Sequence, residues 1–202
     1  MAKPRRSEPD AAAAPRIIGG DLRGRRLGYA PDPRTRPMKD RVRETLFDLL
    51  GPSVRGRLAI DLFAGTGALG FEAVSRGAAR AVLVERHFPT AERLRTTARD
   101  LGVAERVEVR AGDALTWARR MPELPAASGW LVFVSPPWAM FTERPDDVVA
   151  VVAALLREAP PGSTFVVEAD GSFPVERLPD PAGWQTRPIP PAVLHMRAGL
   201  VS

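Results

Sequence analysis

Cysteine is absent from all 202 residues. That excludes disulfides, thiolate metal sites, cysteine-held iron–sulfur clusters and any mechanism through a cysteine nucleophile. Histidine occurs only at His87 and His195, too few to build a histidine-based metal site, and no metal is expected. Lysine is nearly missing too: Lys3 and Lys39 are the only two, so arginine carries almost all of the positive charge. No apolar run approaches the roughly 20 residues of a membrane-spanning helix. The opening "MAKPRRSEPDAAAAP" lacks the long apolar core of a secretory signal. The expectation is a cytoplasmic protein with no membrane partner, folded as one main domain in which 45% hydrophobic residues fill the core.

The charge that is present is unevenly placed. Residues 1–57 hold 14 Lys and Arg against 7 Asp and Glu, whereas residues 58–202 hold 15 against 17. A basic segment beside a near-neutral domain is how a protein reaches a phosphate backbone; a solvated basic tail is the plainer alternative. Residues 1–15 mix charge, alanine and proline without periodicity and read as a disordered leader. "RIIGGDLRGRRL" reads as a small arginine-decorated β-hairpin and "PDPRTRP" as a proline-bounded loop. "MKDRVRETLFDLLG" reads as an amphipathic helix with Val42, Leu46, Leu49 and Leu50 on one face and Gly51 as its stop. Residues 16–57 therefore form a basic hairpin-and-helix unit, and Arg16, Arg23, Arg25, Arg26, Arg34 and Arg36 are its candidate RNA contacts.

From residue 58 to 202 the pattern alternates. Apolar strands are expected at "LAIDLF", "AVLVE", "RVEVR", "WLVFVS" and "STFVVEA", with helices beginning near Gly67, Pro89, Asp113 and Asp146 and two final strands in the tail. Strand and helix repeated this way predict an α/β fold: an open, mainly parallel sheet covered by helices on both faces.

"DLFAGTGALGFEA" sets Gly65, Gly67 and Gly70 in G-x-G-x-x-G spacing between a strand and a helix, a nucleotide-type loop in its proper context. The loop alone suits dinucleotides and S-adenosylmethionine equally, and so does Glu85, placed at the end of the second strand to accept from ribose hydroxyls. Asp61 separates the two. A carboxylate just before the helix N-terminus repels an anionic pyrophosphate but welcomes the ammonium and sulfonium of S-adenosylmethionine. Asp113, after the third strand, suits the adenine amine. Each carboxylate taken singly has an ordinary reading as a helix cap.

"VFVSPPWAMF" ends the fourth strand with Ser135, Pro136, Pro137 and Trp138. Two prolines and a tryptophan can simply stop a strand and fill a core. Beside the same crevice they can also hold a backbone carbonyl toward an accepting amine and offer a flat face to a base drawn out of its stack.

The segments "RIIGGDLRGRRL", "RPMKDRVRETLFDLL", "DLFAGTGALGFEAVSRGA" and the Pro-Pro-aromatic turn resemble the RsmD family of bacterial 16S ribosomal RNA guanine-N2 methyltransferases, from about Arg16 to Trp138. The resemblance implies a class I, Rossmann-like methyltransferase fold with a seven-stranded sheet, S-adenosylmethionine as donor, and a guanine amine of small-subunit rRNA as acceptor. It implies cofactor contacts by Arg43 and Glu44 on the first helix, by Asp61, Phe63, Gly65, Thr66 and Gly67, by Glu85 and Arg86, and by Asp113 and Ala114. It further implies that Ser135, Pro136, Pro137 and Trp138 form the catalytic turn. This chain departs from the family at Ser135, where the family has Asp, or Asn in relatives that methylate amines. A monomer working on ribosomal RNA or the small ribosomal subunit is expected. Two further readings stay open: methylation of another nucleic-acid amine, such as adenine N6 or one in DNA, and a cofactor-binding RNA-assembly protein with little catalysis.

Overall fold

The computed structural model describes residues 14–28 and 38–198. The leader up to residue 13, the "PDPRTRP" loop with Arg34 and Arg36, and residues 199–202 lie outside them. Seven strands, β1 (Leu58–Asp61), β2 (Arg80–Glu85), β3 (Val107–Ala111), β4 (Trp130–Val134), β5 (Thr164–Asp170), β6 (Gln185–Ile189) and β7 (Ala192–Ala198), form one sheet in the order β3-β2-β1-β4-β5-β7-β6. The first five run parallel, and β7 is antiparallel to both β5 and β6. The strand order reverses between β1 and β4, and open α/β sheets bind ligands outside the strand ends at such a switch point.

The helices are α1 (Asp40–Leu50), α2 (Ala68–Ser75), α3 (Phe88–Asp100), α4 (Ala114–Arg120), α5 (Ala139–Glu143) and α6 (Pro145–Glu158). Local signals start and stop them. Proline stands in the first turn of α3 and of α6, Asp113 caps α4 through its side chain, and Gly51 closes α1 at φ 49°. The short α5, directly after the Pro-Pro turn, was not expected from sequence.

Alternate residues of each central strand feed two cores, so the strands are apolar throughout rather than alternating. Ala59, Leu83, Leu131, Phe133 and Val166 face a core closed by Leu46, Phe47, Phe71 and Leu94 of α1, α2 and α3. Ile60, Val82, Val132, Val134 and Phe165 face a second core closed by Trp117, Val148 and Leu155 of α4 and α6. On α1 the buried stripe is Val42, Arg43, Leu46, Phe47 and Leu50; Leu49, expected inside, is 47% exposed, because it falls outside the edge of a stripe centred near Leu46 and Leu50.

The N-terminal segment 15–28 is less a hairpin than a strap. One antiparallel bridge, Arg16 to Arg26, joins its arms, with Ile17 and Leu27 buried. Its start is already within the fold, since the Pro15 carbonyl accepts from the Leu27 N–H. The turn lies on the far half of α2, where the Asp21 N–H donates to the Ser75 carbonyl at 2.9 Å and the Leu22 N–H to its hydroxyl at 2.9 Å. All eight residues of α2 are buried, with the sheet on one side and this turn on its far half. Gly20 has φ +75°, and a Cβ there would stand 2.0 Å from the Ser75 carbonyl oxygen. Gly20→Ala should therefore lower the urea unfolding free energy by about 1–3 kcal/mol, the cost typical of overpacking; an unchanged midpoint would show that the strap is not clamped there.

Candidate active site

Four polar side chains gather where the parallel strands end. Asp61 ends β1, Glu85 ends β2, Ser135 follows β4 and Glu168 lies near the end of β5. Strand parity puts all four on the face covered by α1, α2 and α3, because they continue the Ala59, Leu83, Phe133 and Val166 rows of the first core.

Asp61 is 1% exposed, and its Oδ1 has no hydrogen-bond partner. Burial pushes its carboxyl up to about 7; Gly70 and Phe63 backbone N–H groups act against the shift, and the charges of Glu85 and Glu168 add to it. No arginine or lysine among the described residues forms an ion pair with it. A buried carboxylate with a vacant lone pair at the mouth of a glycine loop fits a cationic ligand and disfavours an anionic one.

The loop itself is shaped by Glu85, whose Oε2 accepts from the Gly65 N–H and Oε1 from the His87 N–H, each at 2.8 Å. Gly67 opens α2 in the left-handed region at φ 75°, where only glycine is unstrained. Gly70 serves packing instead: a Cβ there would meet Leu83 at 2.1 Å, so its absence lets α2 lie close on β2. Thr66 is buried in the loop and Phe63 half-buried beside it. Arg86 is exposed at the rim, followed by Phe88, which is 68% exposed.

Asp113 is the N-cap of α4, its Oδ1 accepting from the Thr116 N–H at 2.9 Å, with Ala114 buried behind it. One of the oxygens expected to meet an adenine amine is thus committed to the helix. Glu44 is exposed on α1.

Arg43 requires correction. Its side chain is fully buried, so it has no face to offer a cofactor. Its Nη2 donates to the Arg16 carbonyl at 2.6 Å and to Asp40 at 3.0 Å, and its Nε lies 3.7 Å from Glu72 of α2. Burial pulls the guanidinium below its usual range, and the charges of Asp40 and Glu72 pull it back. Arg43 is a tie between strap, α1 and α2.

In the "SPPW" turn, Ser135 is half-buried and donates its hydroxyl hydrogen to Glu168 Oε2. Pro136 is buried and Pro137 exposed, while Trp138 is half-buried, packs against both cores and accepts at its carbonyl from the Phe141 N–H to open α5. Glu168 was missed at the sequence level. The only signal for it was one carboxylate in the apolar run "TFVVEA", at the same strand-end position as Asp61 and Glu85.

The basic residues are spread out. Arg23 and Arg26 are exposed on the strap, and Arg16 pairs with Asp40 at 3.4 Å. Arg25 donates to the carbonyl of Asp100, the last residue of α3. At ~1.5 Å per residue, that is about 18 Å along α3 from its crevice end.

A sheet of this order, with a glycine loop after β1 and acidic strand ends around the switch point, defines the class I methyltransferase fold. The model of a family described as Conserved hypothetical protein 95 matches residues 15–187. The chain belongs to that family, the RsmD family. Ribosomal RNA small subunit methyltransferase D of Escherichia coli K12 is 40% identical over 126 residues, a match spanning 61% of this chain and 60% of that relative's length. The solved structure of the Escherichia coli protein yhhF superposes with a TM-score of 0.73 at 29% identity, covering 94% of this chain and 99% of that one. An RNA methyltransferase of Salinibacter ruber, solved in complex with S-adenosyl-L-homocysteine, shares the fold at TM-score 0.54 and 22% identity, over 81% of this chain and 93% of that one.

Proposed function

We propose that this chain methylates the exocyclic N2 amine of a guanine in small-subunit ribosomal RNA, with S-adenosylmethionine as donor. The observation that carries the reading is Asp61: a buried carboxylate with an unpartnered oxygen, at a glycine loop, facing the same crevice as a Pro-Pro-Trp turn. Asp61 would meet the positive charge of the cofactor, Glu85 would hold its ribose side while shaping the loop, and Gly65, Thr66 and Gly67 would line its approach. Bound there, S-adenosylmethionine supplies an electrophilic methyl group on a cationic sulfur.

The chain's own task is positioning. An exocyclic amine is a weak nucleophile because its lone pair is delocalised into the ring. Hydrogen bonds accepted by Ser135 and the Pro136 carbonyl favour the pyramidal nitrogen, and Trp138 stacks on the extruded base. Arg16, Arg23, Arg25 and Arg26 on the strap, with Arg34 and Arg36 beyond the described residues, would grip phosphates on either side of the target. The relatives' names support rRNA as the substrate, and a protein of this kind would work in the cytoplasm as a monomer.

The test is transfer of a labelled methyl group to 16S rRNA and to assembling small subunits, with modified nucleotides mapped afterwards. Trp138→Ala should reduce transfer by about 1–3 kcal/mol, roughly 5- to 150-fold, with cofactor binding retained. Labelled DNA in place of labelled rRNA would move the acceptor. RNA binding without any transfer would favour the assembly-protein reading.

A further inference from the structure

At the corner where β4 ends, a carboxylate stands beside Ser135. β4 and β5 run parallel with Val134 opposite Val167, so Ser135 and Glu168, one residue further on each strand, leave the sheet side by side. The Ser135 hydroxyl donates to Glu168 Oε2. Glu168 is 7% exposed and, among the described residues, has no arginine, lysine or histidine in an ion pair with it. Its β7 neighbour is Leu194, while His195 next to that leucine packs in the opposite core against Phe173. The charge of Glu168 adds to the upward shift of the Asp61 carboxyl on β1. Burying a carboxylate against one neutral hydroxyl costs stability and has no packing rationale. Such an arrangement beside a crevice marks a working group.

We propose that Ser135 and Glu168 form a two-residue proton acceptor for the target amine, with Glu168 supplying through the hydroxyl the charge that position 135 itself lacks. The inference rests on the methyl-transfer reading above. As the amine nitrogen forms its bond to the methyl carbon, the carbon–sulfur bond breaks and its electron pair leaves with sulfur. The nitrogen becomes positively charged and gives one proton to Ser135 Oγ, while the hydroxyl's own proton passes to Glu168 Oε2. The products are a neutral methylated amine, a neutral thioether and a protonated Glu168, which afterwards returns its proton to solvent. A hydroxyl that donates to a carboxylate is also a better acceptor for the amine N–H before reaction, because the two hydrogen bonds polarise each other. Burial raises the Glu168 carboxyl above the usual carboxylate range, with the Ser135 hydrogen bond opposing; a carboxylate so raised is a stronger base than a solvated one.

Two measurements test this. In the cofactor-free protein, with glutamate side chains labelled with carbon-13, the Glu168 resonance, assigned by its loss in Glu168→Gln, should titrate above the exposed glutamates. In Ser135→Ala it should move higher still. In methyl transfer to rRNA at saturating cofactor, Glu168→Gln and Ser135→Ala should each lower kcat at least about tenfold, with KM for RNA and calorimetric cofactor affinity unchanged. The double variant should lose no more than either single one. The parent's kcat should fall as pH drops through the Glu168 titration, and this acidic limb should vanish in Glu168→Gln. A parent active on rRNA with either variant at parental kcat overturns the relay alone, as does a Glu168 titration indifferent to Ser135→Ala. A parent that methylates no RNA overturns the function reading, and the relay with it.

Discussion

Asp61→Asn should abolish detectable S-adenosylmethionine binding and at the same time make the cofactor-free protein harder to unfold above pH 7. The two effects have one cause. Asp61 is buried with one oxygen unpartnered, and its carboxyl is pushed from 3.8 to about 7. Between those values the folded protein holds a proton that the unfolded chain has already released, so stability falls as pH rises through this window. Above about pH 7 the whole penalty of a buried negative charge is in place; below pH 4 it is absent. Asparagine keeps the shape and an acceptor for the Gly70 and Phe63 N–H groups but never ionises. Its advantage in urea unfolding should grow from nothing near pH 4 to a plateau above pH 7, on the order of 4 kcal/mol at most. The cofactor's positive charges relieve the same penalty when they bind, so affinity in the parent should weaken as pH falls below 7. Calorimetric titration of both proteins at several pH values checks each part. A variant that binds the cofactor like the parent, or is no more stable at pH 8, would remove Asp61 from the role given to it.

Glu72→Ala should produce the largest loss of stability. Glu72 is fully buried in the middle of α2 and accepts from the Ile18 and Gly19 N–H groups and from Arg76 Nε, each at 2.8 Å, with Arg43 Nε 3.7 Å away. Alanine leaves two backbone donors without an acceptor and a buried guanidinium facing an empty site. Removing one partner of a buried ion pair typically costs about 3–5 kcal/mol, and the orphaned amides add to that. Denaturant unfolding should register the loss, and hydrogen exchange should accelerate first across residues 15–28. Because the strap carries Arg23, Arg25 and Arg26, RNA binding should weaken and lose part of its salt dependence, while the crevice end of α2 keeps its cofactor affinity. Glu44→Ala on the exposed side of α1 is the control and should change stability by no more than about 0.5 kcal/mol. Equal unfolding midpoints for Glu72→Ala and the parent would mean that the strap is held by Ile17 and Leu27 alone.

Features that depend on neighbours along the chain were legible in the amino-acid order. Apolar runs of strand length separated by helical periodicity led to five parallel strands and their helices; the spacing of Gly65, Gly67 and Gly70 led to the loop; and carboxylates at successive strand ends led to the crevice. Those signals are local, because a strand's period, a cap or a positive φ is written within a few residues. Which charges meet across the chain emerges from folding. Glu72 meets Ile18 across 54 positions, and Ser135 meets Glu168 across 33. Nothing near Arg43 in the sequence distinguishes a solvated arginine from a buried tie, and the cofactor contact implied by the family resemblance does not anticipate its burial. The reason is burial: an arginine or glutamate takes its role from the dielectric and the partners around it, and both come from segments that only folding brings together. Ser135 makes the same point in reverse, since a residue that reads as a lost carboxylate stands, in three dimensions, beside one.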